Sequence, residues 1–279
     1  MPVIERMDKH ETFEMNLRAV DARFSLSVEA RELAAHIQCL FEPLTSRAPG
    51  QCHYRIAADA TEGGRAYRLY RDDHCIARAD TPARLVSALI SEVTRRAIER
   101  SGRYLLLHAA AAELGGQAVL LPATSGSGKT TLVSALVRDG FRYLSDEMVA
   151  VDPATLEAHP YPKPMTFDNA DGAEIAVAPN CPVFGPLPVA VVVSPTYRPG
   201  AGGTLTDVSK AAAVLLLAEN AFNFHDHGHA GLRTLGAIAS SAPTYRLSVG
   251  DLGQACEIVR QSLRTATGPR MPQARNVRG

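Results

Sequence analysis

The stretch Leu120-Leu121-Pro122-Ala123-Thr124-Ser125-Gly126-Ser127-Gly128-Lys129-Thr130-Thr131 constrains this chain more than any other. An apolar run, Gln117 to Leu121, leads into a glycine-rich loop, Ala123 to Gly128. A helix starting near Lys129 then carries Leu132, Val133, Leu136 and Val137 on a helical repeat. Strand, glycine loop and helix in that order make an anion cradle. The glycines let successive backbone N–H groups converge on one phosphate, the helix N-terminus adds positive dipole, and Lys129 supplies a full charge. Ser125, Gly126, Ser127, Gly128, Lys129, Thr130 and Thr131 are therefore expected on the phosphates of a nucleotide, with the Thr130 hydroxyl placed for magnesium. The strict pattern G-x-x-x-x-G-K-[ST] has a glycine where Ala123 stands, but Gly126 and Gly128, nearest the phosphates, are intact. A Gly/Ser turn before an ordinary helix would give no reason for Gly-Lys-Thr at the helix start.

With 279 residues and 46% hydrophobic content, the chain can hold one large domain or two modest ones around a sizeable core. Lys plus Arg number 29 and Asp plus Glu also 29, so charge gives no reason to invoke nucleic acid or a membrane as partner. Cys39, Cys52, Cys75, Cys181 and Cys256 are scattered without a C-x-x-C pair, which argues against a disulfide framework and a structural zinc and fits a reducing cytoplasm. Met1-Pro2-Val3-Ile4-Glu5-Arg6 lacks a basic region followed by an apolar stretch, and no run of about 18 apolar residues occurs. A soluble, unexported, cytoplasmic protein is the expectation.

Along the chain, Phe13, Met15, Leu17 and Ala19, then Phe24, Leu26 and Val28, alternate with polar residues as half-buried strands do, with Asp21-Ala22 as the turn. Glu29 to Leu40 reads as a helix stopped by Pro43. Strands are expected over Cys52 to Ala57, Ala66 to Tyr70 and His74 to Ala79, separated by Gly63-Gly64 and Asp72-Asp73 turns. Thr81 is a candidate N-cap, with Pro82 at the first position of a helix that stops at Gly102. Residues 1–103 thus form a small α+β module, and residues 104–264 an α/β nucleotide-binding core. That core opens with strands Tyr104 to Ala112 and Gln117 to Leu121, and its first helix ends at Gly140. Phe141 to Leu144 and Met148 to Val151 are strand-like, the Pro-rich stretch His159 to Pro164 cannot be helical, and residues 169–188 read as loop. After a strand at Val189 to Val193, helices are expected from near Asp207, over Leu232 to Ala239, and from the Asp251 cap to about Leu263. Tyr245 to Val249 is a short strand, and residues 265–279 read as a mobile tail.

Phosphoryl chemistry also needs a carboxylate for the metal and a group to activate the acceptor. Asp146 and Glu147 lie at the end of a strand following the loop's helix, where a β-α-β unit brings them towards the phosphates; the alternative is a solvated acidic turn. His108-Ala109-Ala110, Ser125-Gly126-Ser127-Gly128-Lys129-Thr130 and Leu144-Ser145-Asp146-Glu147 together resemble the bacterial HPr kinase/phosphorylase group. The likeness is stronger to its smaller relatives, including the kinases of lasso-peptide maturation that phosphorylate a serine at the precursor's C-terminus. The resemblance implies a P-loop core of HPr-kinase type and an ATP- and Mg2+-dependent kinase. Its catalytic residues are Lys129, Asp146 as general base and His108 orienting or charging Asp146, with Glu147 near magnesium beside Thr130. The family usually has two aspartates where Asp146-Glu147 stands, and a histidine on an apolar strand is also an ordinary core residue.

Lys163, between Pro162 and Pro164, and Arg198, before Pro199-Gly200, are candidates for phosphate or substrate contact or plain solvated loop residues. The longer phosphorylase signature is not recognisable around Arg198. His225-Asp226-His227-Gly228-His229 looks like a metal cluster but lacks a fourth spaced ligand, so an acceptor-binding or polar loop is preferred, and Asn220 and Asn223 are expected to cap the preceding helix. The expected acceptor is a serine of a peptide or small protein, and a homo-oligomer stays open. The rivals are a P-loop ATPase switch, in which Asp146 positions water, and a non-catalytic nucleotide- or peptide-binding protein.

Overall fold

A computed structural model of the chain describes residues 12–61, 64–124, 126–168 and 174–268. Ser125, the first half of the Gly63-Gly64 turn and residues 269–279 of the expected tail lie outside the described residues. The first unit is a five-stranded sheet in the order β1 (Phe13–Ala19), β2 (Ala22–Val28), β3 (His53–Thr61), β4 (Gly64–Arg71), β5 (His74–Ala79). The β1–β2 turn falls on Val20 and Asp21, one residue earlier than expected, with Val20 at φ 60. Helices α1 (Arg31–Phe41) and α2 (Pro82–Arg100) bury Leu33, Ile37, Leu40, Leu85, Leu89 and Val93 against the apolar side of the sheet. The Thr81 side chain caps α2 by accepting from Arg84 N.

The second unit is built on an eight-stranded mixed sheet. Strands β6 (Leu105–Leu114) and β7 (Gln117–Pro122) form the antiparallel hairpin expected from Gly115-Gly116. From β7 the chain enters the glycine loop and α3 (Lys129–Arg138), and Gly140 at φ 92 makes the expected left-handed stop. Strands β8 (Arg142–Ser145), β9 (Met148–Val151) and β10 (Glu157–His159) follow. Both β7 and β8 pair antiparallel with β6, so they run the same way, and the Pro122 end of one and the Ser145 end of the other emerge at one sheet edge. This is how the acids after β8 reach the loop after β7, with β6 between the two strands.

Three expectations are corrected here. Residues 169–188 are not all loop: β11 (Met165–Asp168) pairs with β12 (Glu174–Val177), a hairpin whose pairing partners could not be seen from either short segment alone. After β13 (Leu187–Tyr197), the segment near Asp207 is not the start of a helix but an edge strand, β14 (Thr204–Asp207). Helix α4 (Lys210–Glu219) starts later, with Ser209 Oγ accepting from Ala212 N. The His225–His229 segment is not a loop but the first turns of α5 (Phe224–Ser241), kinked at Gly228. The chain closes with β15 (Thr244–Val249), parallel to β13, and α6 (Leu252–Thr267), capped by Asp251 as expected and reaching past residue 265. Alternate side chains of the sheet face opposite layers: Ala110, Val119 and Leu121 meet α3 and α6, whereas Ala111, Leu120 and Val192 meet α4 and α5.

The two units share apolar packing. Tyr104, Leu106, Met148, Ala150 and Tyr161 are buried in one cluster with the first unit's strands and helices, and Thr94 of α2 is hydrogen-bonded to the Tyr161 hydroxyl at 2.9 Å. No helix among the described residues is long and apolar enough to cross a membrane.

Candidate active site

The glycine loop leaves β7 with Gly126 at φ 76 and Gly128 at φ 86, left-handed conformations that a side chain would strain. Lys129 opens α3 and turns back, its ammonium donating to Ala123 O at 2.6 Å and Thr124 O at 2.8 Å. Burial pushes the Lys129 pKa below its ordinary value, and the charges of Glu147 and Asp146 only partly oppose that. Close by, the Ser127 hydroxyl is buried with no partner among the described residues.

A cavity of about 560 Å3 brings together His108, Lys129, Thr130, Asp146, Glu147 and Lys163. Thr130 Oγ donates to Asp146 Oδ2 at 3.0 Å, and the Tyr143 hydroxyl donates to Asp146 Oδ1 at 2.7 Å. The Lys163 ammonium lies 2.9 Å from Asp146 Oδ1 and 3.4 Å from Glu147 Oε2. Burial acts to lower the Lys163 pKa, but the charges of Asp146 and Glu147 and their hydrogen bonds outweigh it, so the net shift is upward and the ammonium is kept. Burial, and next the Asp146 charge, raise the Tyr143 phenol well above its ordinary value, so it stays a donor.

The local fold explains this convergence. Ser145 Oγ accepts from the backbone N–H groups of Glu147 and Met148, which pins the turn carrying the two acids between β8 and β9. Tyr161 N bonds Leu144 O, and this fixes the proline-bounded segment that delivers Lys163 from the far side. Lys163 is thus a buried partner of both acids and not a solvated loop residue.

Several sequence-derived candidates sit otherwise. His108 lines the cavity, yet its ring makes no hydrogen bond among the described residues. It packs 5.2 Å from the Phe222 ring, and its backbone N–H is held by Asn220 O. The expected orientation of Asp146 by His108 is therefore not seen; Tyr143, Lys163 and Thr130 hold that carboxylate instead. Burial and then the Lys129 charge push the His108 pKa below its ordinary value. Arg198 is exposed at the turn after β13 and is not brought to the cavity, because its backbone N–H is tied to Val249 O. Asn220 does cap α4, its side chain donating to Leu216 O. Asn223 instead bridges to the β6 region, accepting from Leu106 N and donating to Tyr104 O. His227 is occupied at Tyr104 O, and no group of three or more His, Cys, Asp or Glu able to hold a metal occurs among the described residues. Tyr143 was missed by sequence reasoning, since a tyrosine on an apolar strand carries no signal apart from its partner.

The oxygen donors Thr130 Oγ and Asp146 Oδ2, with Glu147 beside them, suit magnesium, a hard cation that takes one or two carboxylates and completes its shell with phosphates and water. No protein-family description and no curated protein matches the chain. Among solved structures, the HPr(Ser) kinase/phosphatase from Coxiella burnetii aligns with 57% of this chain and 94% of its own at 12% identity, with a TM-score of 0.34. That is a distant likeness.

Proposed function

We propose that this chain is an ATP-dependent kinase that transfers the γ-phosphate to the hydroxyl of a serine in a peptide or small protein. The observation that carries the reading is the cavity itself: a left-handed glycine loop, two ammonium groups, a helix-borne threonine hydroxyl and two adjacent carboxylates meet at the ends of two co-directional strands. The loop's N–H groups and Lys129 would hold the β- and γ-phosphates, for which Lys129 must leave the carbonyls of Ala123 and Thr124. Magnesium would sit at Thr130, close to the acid pair, and would neutralise charge on the phosphates. The other side of the loop opens on a second hollow of about 460 Å3, where Thr131, Leu132, Pro195, Tyr197, Val249 and Leu252 offer an apolar seat for a nucleoside. Support for a serine acceptor, including a lasso-peptide precursor, comes from the motif resemblance of His108-Ala109-Ala110 and Leu144-Ser145-Asp146-Glu147.

The test is calorimetric titration of the full chain with MgADP, followed by transfer from γ-labelled ATP to a panel of serine peptides. Nucleotide binding with acceptor-dependent label transfer is expected. Steady ATP consumption indifferent to any peptide would replace the kinase with an ATPase switch, and binding without turnover would leave a binding protein.

A further inference from the structure

The division of labour between the two adjacent acids can be read from which of their oxygens remain reachable. The Asp146 side chain is 2% exposed, and both its oxygens are engaged, Oδ1 by Tyr143 and Lys163 and Oδ2 by Thr130. Glu147 touches the same ammonium through Oε2 alone, and its side chain is 44% exposed at the cavity mouth. Lys163 is the group that touches both acids. Its ammonium, 3% exposed, is anchored on Pro164 O at 3.2 Å and with the Tyr143 hydroxyl occupies Asp146 Oδ1, while Oδ2 accepts from Thr130. Of the two acids, Glu147 is the more exposed and keeps an oxygen, Oε1, without a hydrogen bond among the described residues. General-base geometry requires such an oxygen, within hydrogen-bond distance of the proton abstracted.

We propose that Lys163 is a positioning residue that commits Asp146 to the metal beside Thr130 and leaves Glu147 as the base for the acceptor hydroxyl. This deepens the kinase reading, rests on it, and reverses the order of roles that the motif resemblance implies. In the transfer, the acceptor O–H bond breaks and its proton passes to the Glu147 carboxylate. The acceptor oxygen forms a bond to the γ-phosphorus, and the bond from that phosphorus to the bridging oxygen breaks, its electron pair leaving on ADP.

The experiment uses the full chain and Mn2+ as a spectroscopic probe, titrated by electron paramagnetic resonance in the presence of ADP, alongside single-turnover transfer. Asp146→Asn is expected to weaken Mn2+ binding about tenfold or more. Glu147→Gln is expected to keep Mn2+ and ADP affinity within about twofold while transfer falls by about 10²–10⁴-fold, the range for loss of a general base. Lys163→Met is expected to lower kcat about tenfold or more with KM for ATP little changed, and Lys163→Arg to recover part of that loss. If Glu147→Gln loses Mn2+ while Asp146→Asn keeps it, the assignment is overturned and the kinase reading survives. A Lys163→Met chain equal to the parent in kcat and Mn2+ binding also overturns it. Should Lys163→Met fail to fold, the Asp146 and Glu147 variants decide the assignment between them. A parent chain that binds no ADP overturns the kinase reading itself, and this is seen before any variant is made.

Discussion

Replacing Lys129 with methionine keeps the buried methylene stem, for the residue is 7% exposed, and removes only the charge. The ammonium now makes two charge-assisted hydrogen bonds, to Ala123 O at 2.6 Å and Thr124 O at 2.8 Å. On the proposed kinase reading these would exchange, when nucleotide binds, for contacts to phosphate oxygens, which carry full negative charge where the carbonyls carry a partial one. A hydrogen bond between charged groups is worth about 1.5–3 kcal/mol, so losing one such contact should weaken ADP binding roughly 10- to 150-fold. Folding stability should move less. The two carbonyls lose their partner, at about 1–3 kcal/mol for each that stays buried and unpaired, but the chain no longer has to desolvate an ammonium. Calorimetry of MgADP against Lys129→Met, paired with a urea melt, separates the two effects. An ADP affinity within about threefold of the parent, in a folded variant, would refute the reasoning and remove Lys129 from the phosphate site.

Other outcomes follow from packing and charge. A chain starting at residue 104 uncovers Leu106, Met148 and Tyr161, each almost fully buried against the first unit. At about 1.5–3 kcal/mol per large side chain this approaches the whole stability of a domain. It should show no cooperative melt by circular dichroism, and a sharp transition would show that the second unit folds alone. The His108 pKa is held below its ordinary 6.5, mainly by burial, so between the two values the unfolded chain binds more protons than the folded one. Stability should therefore rise with pH through that window and fall as pH drops below the ordinary value of 6.5, with His108→Gln losing less than the parent in urea titrations. An equal loss in both chains would show that His108 does not contribute. Tyr143→Phe removes a buried donor at 2.7 Å from Asp146 and should cost about 1.5–3 kcal/mol of unfolding free energy, read by urea melt; a change below about 0.5 kcal/mol would mean Lys163 and Thr130 hold the carboxylate unaided.

The sequence alone determined whatever depends on local spacing. The glycine loop, the Gly140 stop and the Thr81 and Asp251 caps are written in residues that act on their own backbone neighbours, and they appear where the spacing puts them. The adjacency of Asp146 and Glu147 to the loop was also legible, because a strand-loop-helix-strand order carries a direction with it. The rest depends on partners far apart along the chain. β14 and the β11–β12 pair are strands because other strands lie beside them, and their own short segments carry too little periodicity to say so. The roles of Lys163, Tyr143 and His108 were undecided for the same reason: a lysine between prolines, a tyrosine on an apolar strand and a histidine on another look alike whether idle or engaged. Tyr161 N bonding Leu144 O brings Lys163 under the two acids, and the Phe222 ring packs at a tilt beside His108. Charge and shape at this cavity are set by burial, and burial is a property of the folded assembly of elements that no single stretch of residues contains.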